Sequence, residues 1–262
     1  MKTKTASLFQ IGTALFAGVV LSCTATLAQS NRSSAANPDP FFTPAQDRGG
    51  LKEAPQAKAG LPNVLILGDS ISIGYTEPVR NLLKDVANVQ RPRANCGDTP
   101  IGLKNLKSWL GDTKWDVIHF NWGLWDLCYR HPEAKTQGHR DKVKGTQSVP
   151  LAQYEKNLET LVQQLKQTGA RLIWASTTVV PEGEIGRFVG DELKYNEAAA
   201  KIMARHGVAI DDLHTLTAGF GGKHFVGPGD VHFTTEGYAI IARQVVDSIK
   251  KEGLAKRKQP AK

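Results

Sequence analysis

The sequence predicts an α/β fold built on a mostly parallel sheet with helices on both faces. Two observations carry this expectation. Short continuous apolar runs, as strands buried on both faces require, alternate with stretches of helical periodicity. Strand-like and helix-like segments also follow one another in strict order from Leu61 onward, the pattern of parallel strands joined by helical crossovers. A chain of 262 residues suits one domain with a substantial core.

The first strand is Asn63-Val64-Leu65-Ile66-Leu67, and Gly68-Asp69-Ser70 then opens a helix reaching about Asp85. A second strand is expected over 86–91. Residues 101–110 read as a helix, with Ile101, Leu103, Leu106, Trp109 and Leu110 near one face. Residues 115–121 form the next buried run. Leu151, Tyr154, Leu158, Leu161, Val162 and Leu165 recur at helical spacing, and Gly169 closes that helix. Residues 171–177 are strand-like. A helix over 191–205 stops at Gly207, a short strand covers 208–211, and a last helix spans 234–251.

The flanks differ in character. Lys2 and Lys4 precede an apolar stretch from Ala6 to Leu21, and Thr26-Leu27-Ala28 supplies small residues for cleavage. Residues 1–28 therefore read as a signal peptide. The apolar run is short for a membrane span, so no transmembrane segment is expected after cleavage and the product is exported, periplasmic or secreted. Cys23, after Val20-Leu21-Ser22, loosely matches a lipoprotein box and opens a second route, lipid anchoring. Residues 29–60 are rich in Ser, Ala, Pro, Asn and Gly and read as a flexible linker or surface arm. The domain proper is expected over 61–252, and 253–262 is a basic tail. The formal charge of +8 resides largely in the signal and the C-terminal residues. No aromatics interleave with the tail cations, so nucleic-acid binding is not indicated. Cys96 and Cys128 remain after cleavage; an exported pair permits a disulfide, and two buried thiols are the alternative.

Parallel sheets bind ligands beyond the carboxyl ends of their strands. After the first strand, Ser70 stands where it is either a helix N-cap or a nucleophile beside backbone N–H groups and the positive helix end. After the second comes Asn95-Cys96-Gly97-Asp98-Thr99, where Gly97 is a turn residue or a close-approach N–H donor. After the third comes Asn121-Trp122-Gly123-Leu124-Trp125-Asp126, whose tryptophans are core packing or a substrate wall. Before the last helix stands Gly229-Asp230-Val231-His232, and a serine nucleophile needs a base of this kind. His119, inside a strand, reads as buried packing. No His pair has metal-ligand spacing, so no metal or other cofactor is expected.

Together these segments resemble the SGNH, or GDSL, hydrolase family over about 61–252. Gly68-Asp69-Ser70-Ile71 is similar to the first family block, Gly97 to the second-block glycine, Gly123-Leu124-Trp125-Asp126 to the third block, and His232 with Thr234, Gly237 and Tyr238 to the fifth. The resemblance implies a flavodoxin-like three-layer sandwich and a serine esterase with Ser70 as nucleophile and His232 as base. It implies an oxyanion site from the Ser70 and Gly97 N–H groups. Two positions depart from the pattern. Trp125 replaces the third-block asparagine that donates to the oxyanion, and Asn121, on the same strand face by parity, is the candidate substitute. Gly229 stands where the triad aspartate is usual, so Asp230, two residues before His232, is the candidate third member; a backbone carbonyl orienting His232 is the alternative. The resemblance also brings Cys96 and Cys128 to neighbouring loops and implies a disulfide clamp between them. Trp122 and Trp125 are candidates to line the pocket of a small-molecule or carbohydrate ester, with acetyl removal from carbohydrate as one outcome. An acyltransferase using the same site, or a non-catalytic carbohydrate-binding protein on this fold, are the rival functions.

Overall fold

The structure, a computed structural model, describes residues 55–133 and 139–254. The signal peptide over 1–28, Cys23, most of the linker over 29–60 and nearly all of the basic tail lie outside the described residues.

The core is a five-stranded sheet. Its strands are β1 (Asn63–Leu67), β2 (Asn88–Gln90), β3 (Val117–Phe120), β6 (Arg171–Ala175) and β7 (Ala209–Asp211). They lie in the order β2-β1-β3-β6-β7, and every pair is parallel. The apolar runs exist because both faces are covered: Val64, Leu65, Ile66, Leu67, Val117, Ile118 and Phe120 are all buried. The helices are α1 (Ser70–Leu83), α2 (Thr99–Leu110), α3 (Leu151–Gln167), α4 (Asp191–His206), α5 (Leu213–Ala218) and α6 (Thr235–Ser248). α1 packs with α6, whereas α2, α3 and α4 pack side by side. Side-chain parity assigns the α1 and α6 layer to one face: Val117 meets Gly253 at the end of the α6 extension, and His119, two residues on, meets the Tyr75 ring of α1 edge to face. The predicted three-layer architecture is thus present.

The strand order carries a functional consequence. The chain runs from β1 outward to β2, then crosses back to β3 on the other side. The reversal lies between β1 and β3, and crevices at such switch points hold ligands in doubly wound sheets. The loops that leave β1 and β3 begin at Gly68 and Asn121.

Helix starts follow capping chemistry. Asp69 caps α1, its carboxylate accepting the Ile71 N–H, and Asp98 caps α2 by accepting from Ile101. Asp69 therefore takes the capping role that Ser70 could have filled. Some elements differ from expectation. β2 and β3 are shorter than 86–91 and 115–121. The last helix ends at Ser248 and continues as a π-helical turn over Ile249–Leu254. A two-residue antiparallel ribbon, β4 (Tyr129–Arg130) with β5 (Thr146–Gln147), and the six-residue α5 were not anticipated, since neither is long enough to show a period. His119 does more than pack: its Nε2 lies 2.9 Å from Asp211 Oδ2, deep in the core. Among the described residues, no helix is long and apolar enough to cross a membrane.

The α1–α6 contact depends on a missing side chain. A methyl group on Gly74 would lie 2.1 Å from Tyr238 Cζ, and that ring is already packed edge to face on Phe233. Ala in a helix interior gains about 1 kcal/mol over Gly, while overpacking a core costs about 1–3 kcal/mol. The second effect wins at this separation. Gly74→Ala is expected to lower the urea midpoint, with a net loss of up to about 2 kcal/mol; a raised midpoint would refute the close packing.

A buried carboxyl ties three elements together. Asp126 Oδ1 accepts the Thr99 N–H at 2.9 Å and the Thr99 hydroxyl at 2.5 Å, and Asn157 of α3 donates to the same hydroxyl. Oδ2 is buried without a protein partner. Burial pushes the carboxyl up to about 8, against the hydrogen bonds from Thr99. A folded value above the unfolded value of about 3.9 means that the folded state holds the proton more tightly. Asp126 is therefore least costly below about pH 4, and stability falls as pH rises toward about 8. Asp126→Asn should gain on the parent protein progressively between about pH 5 and pH 8 in denaturant titrations; a pH-independent difference would show that Asp126 does not titrate this way.

Candidate active site

The carboxyl end of β1 and the segment before α6 meet. Ser70 is the first residue of α1, directly behind the cap, so its side chain is released from capping. Its Oγ lies 2.9 Å from His232 Nε2, across 162 residues of chain. His232 Nδ1 lies 2.6 Å from Asp230 Oδ1, and the same oxygen accepts the His232 backbone N–H at 2.9 Å. Asp230 therefore reaches the imidazole from only two residues away, because one carboxylate oxygen spans both nitrogens. Gly229 makes the turn possible with φ +71°, a conformation L side chains avoid. Asp230 is buried and the His232 side chain is 12% exposed. Burial works to raise the Asp230 carboxyl, but hydrogen bonds from the His232 ring and backbone, with the His232 and Arg140 charges, hold it below its ordinary value.

The loop after β2 approaches the same place, with the Cys96 N–H donating to Gly68 O at 3.2 Å. Gly97 has φ +58°, and a methyl there would lie 2.5 Å from Ile101 Cδ1, so glycine is required. Its N–H donates to Asn95 Oδ1 at 2.9 Å. Ser70, at the start of α1, has an N–H with no intrahelical acceptor, at the positive end of the helix. Arg91 binds the first two blocks together. It donates to Ser72 Oγ, Gly68 O and Ala94 O.

Asn121 does not fill the place expected of it. Its Nδ2 donates to Ala175 O at 2.8 Å and to Thr177 Oγ1 at 3.3 Å. Both bonds tie β3 to the end of β6 and occupy the amide hydrogens. The tryptophans are likewise core residues. Trp122 is fully buried, with its indole N–H donating to Cys96 O, and the Trp125 ring is 8% exposed beneath the Arg130 guanidinium. Neither presents a face on which a sugar could stack.

The disulfide is also corrected: Cys96 and Cys128 are free, buried thiols. Each has its own surroundings. Cys96 is hydrogen-bonded by Arg91, and burial pushes its thiol up to about 11. Cys128 Sγ is 3.6 Å from Tyr129 O and lies over Gly186, where a methyl would sit 3.2 Å from it. Among the described residues, no group of three or more His, Cys, Asp or Glu side chains is arranged to hold a metal.

Sequence reasoning passed over the loop after β6. It brings Glu184 and Arg187 into the protein interior, where they meet Arg140. The available signal was positional: this loop also leaves a carboxyl end of the sheet.

No curated protein sequence matches the chain. Solved structures share its fold. An acetyl xylan esterase, AlAXEase, superposes with a TM-score of 0.59 at 15% identity, covering 71% of this chain and 99% of its own. A lipase/acylhydrolase from Enterococcus faecalis gives 0.56 at 18% identity, with 72% and 96% covered. TesA gives 0.54 at 17% identity, with 72% and 98% covered. The model of the GDSL-like lipase/acylhydrolase family matches residues 66–240, about two thirds of the chain and every segment just described, and the protein belongs to that family of hydrolases acting on esters.

Proposed function

We propose that this protein hydrolyses carboxylic esters through an acyl-enzyme on Ser70, with His232 as general base and Asp230 as its orienting acid. The single observation that carries the reading is the continuous hydrogen-bonded line Ser70 Oγ, His232 Nε2, His232 Nδ1, Asp230 Oδ1. Asp230, ionised over the neutral range, accepts from Nδ1–H and leaves Nε2 as the acceptor facing the serine.

The steps follow from this tautomer. Ser70 Oγ attacks the ester carbonyl carbon while its proton passes to His232 Nε2. The carbonyl oxygen becomes an oxyanion beside the Ser70 N–H and the positive end of α1. The Gly97 N–H joins when the Asn95 side chain turns away from it. The tetrahedral intermediate collapses, the bond to the alcohol oxygen breaks, and His232 gives its proton to that oxygen. Water then attacks the acyl group, losing a proton to His232, and the second collapse returns the proton to Ser70 and releases the acid.

Behind the Ser70 turn, a space lined in part by Asp69, Ile71, Ser72, Tyr75, Asn121 and Leu124 measures about 10 Å³, room for about one water; neither Ser70 nor His232 lines it. Acetylated carbohydrate is the first natural class to assay. It is supported by the fold shared with an acetyl xylan esterase and not by any tryptophan platform.

Ser70→Ala should abolish hydrolysis of 4-nitrophenyl acetate, a loss on the order of 10⁶ in kcat, with unchanged circular dichroism; retained turnover would remove Ser70 from the mechanism. Asp230→Asn should lower kcat by about 10⁴ through the wrong imidazole tautomer. If that variant loses less than tenfold, His232 is oriented by something other than Asp230.

A further inference from the structure

Two connections leaving the carboxyl side of the sheet, β3 to α3 and β6 to α4, are joined through one buried carboxylate. Glu184 Oε1 accepts from Arg140 Nη1 at 2.6 Å and from Arg187 Nη1 at 3.0 Å, and Oε2 accepts the Gly186 N–H at 2.7 Å. Arg187 Nε then donates to Leu124 O at 2.7 Å. Side-chain exposure is 0% for Glu184, 9% for Arg140 and 4% for Arg187. Backbone bonds run alongside: the Tyr129 N–H reaches Gly186 O at 2.7 Å, and the Lys142 N–H reaches Ile185 O at 3.0 Å. The triad thus links the third-block loop at Leu124, the segment at Arg140 and the loop after β6.

That assembly touches the catalytic line at both ends. Gly183 lies against Gly229 so closely that a methyl on Gly229 would be 2.6 Å from Gly183 O. Gly229 precedes Asp230. The Arg140 charge acts on Asp230, and the Arg187 charge acts on Asp69, the cap behind Ser70. The two guanidinium groups thus lie between the Glu184 carboxylate and these two aspartates. A hydrophobic packing of equal volume would be no less stable, so the triad is better explained by what it positions.

We infer that Glu184 is a positioning residue for ester hydrolysis: by holding Arg140 and Arg187 on one carboxylate it fixes the Gly183–Gly229 contact and the balance of charge around Asp230 and His232. The inference rests on the acyl-enzyme reading above and assigns a role outside its three reacting residues. Asp230 and Asp69 interact with His232 directly; Arg140 acts on Asp230, Arg91 and Arg187 act on Asp69, and both aspartates act on Tyr238. Two of these six groups, Arg140 and Arg187, are held directly by Glu184.

The test changes the charge in opposite directions. Glu184→Gln removes the negative charge that Arg140 and Arg187 share. More positive charge near His232 disfavours the imidazolium, so the acidic limb of the kcat/KM profile should move to lower pH. Displacement of Asp230 should lower kcat by up to about 10²-fold with KM nearly unchanged. Arg140→Gln leaves a balanced Glu184–Arg187 pair and is the variant that keeps its fold if the first does not. Its acidic limb should move to higher pH. NMR titration of the His232 imidazole should give the same two directions without turnover. Limbs that stay in place, or both variants shifting the same way with stability alone reduced, would overturn the positioning role. Labelling of the parent protein by a fluorophosphonate separates the two readings. A labelled parent with unshifted variants overturns only the role of Glu184, and an unlabelled parent overturns both.

Discussion

A parallel sheet with helices packed on both faces can offer reactive groups only at its edges and at the carboxyl ends of its strands. Everything else is core. In this protein the strand order β2-β1-β3-β6-β7 reverses the winding between the paired strands β1 and β3, and the crevice between the loops that leave them governs the rest. Ser70 follows β1, Gly97 follows β2, Gly123 follows β3 and Glu184 follows β6, so residues distant in sequence converge at one end of the sheet. His232 arrives from the segment before α6, which packs on α1. The 162-residue separation between Ser70 and His232 closes to 2.9 Å because the two helices that carry their flanking residues are neighbours.

How much of this could be read in the chain depended on the length scale of the signal. β1 was legible as a continuous apolar run, α2 and α3 because four or more apolar residues recurred near one helical face, and α3 and α4 because a glycine marked the end. The β4–β5 ribbon was not, because two residues per strand carry no period. Ser70, a cap or a nucleophile from its neighbours alone, and His232 took their catalytic reading from the resemblance to the SGNH/GDSL blocks, and the two side chains meet at 2.9 Å. Asp230 was legible only as a candidate. Its reach depends on the turn at Gly229, which no residue pattern specifies. The tryptophans misled for a physical reason. Aromatic residues in a loop suggest a binding wall, yet this loop is itself covered, and Trp122 serves Cys96 O rather than a ligand.

The cysteines and the ion triad bear on one problem, how to hold long loops in register over a reactive centre. A disulfide would do so covalently by removing loop entropy. Here the two thiols lie apart, each in its own contacts, and the linkage is electrostatic. Glu184 accepts from Arg140, Arg187 and the Gly186 N–H, and Arg187 donates to Leu124 O. Such a device is most sensitive to the loss of Glu184, the carboxylate that both guanidinium groups share away from water. It also contributes a field, which a disulfide does not. The sequence could suggest that a clamp was needed but not its chemistry, because a Glu and two Arg in loops look like solvated surface until their burial is known.

The oxyanion is the remaining electrostatic question, and the structure narrows it. Trp125 cannot stand in for an amide, and Asn121 spends both amide hydrogens on β6. What remains near Ser70 is backbone: its own N–H at the head of α1, and the Gly97 N–H now engaged by Asn95. A hydrogen bond to a neutral amide oxygen is weaker than one to an oxyanion, because charge-assisted bonds are about twice as strong. The developing negative charge would therefore outcompete Asn95 for Gly97 only as the carbonyl approaches its tetrahedral state. An ester in its ground state gains less from the exchange. Under the proposed mechanism the Gly97 N–H would thus bind the transition state in preference to the substrate, the sense of discrimination that favours kcat over a low KM.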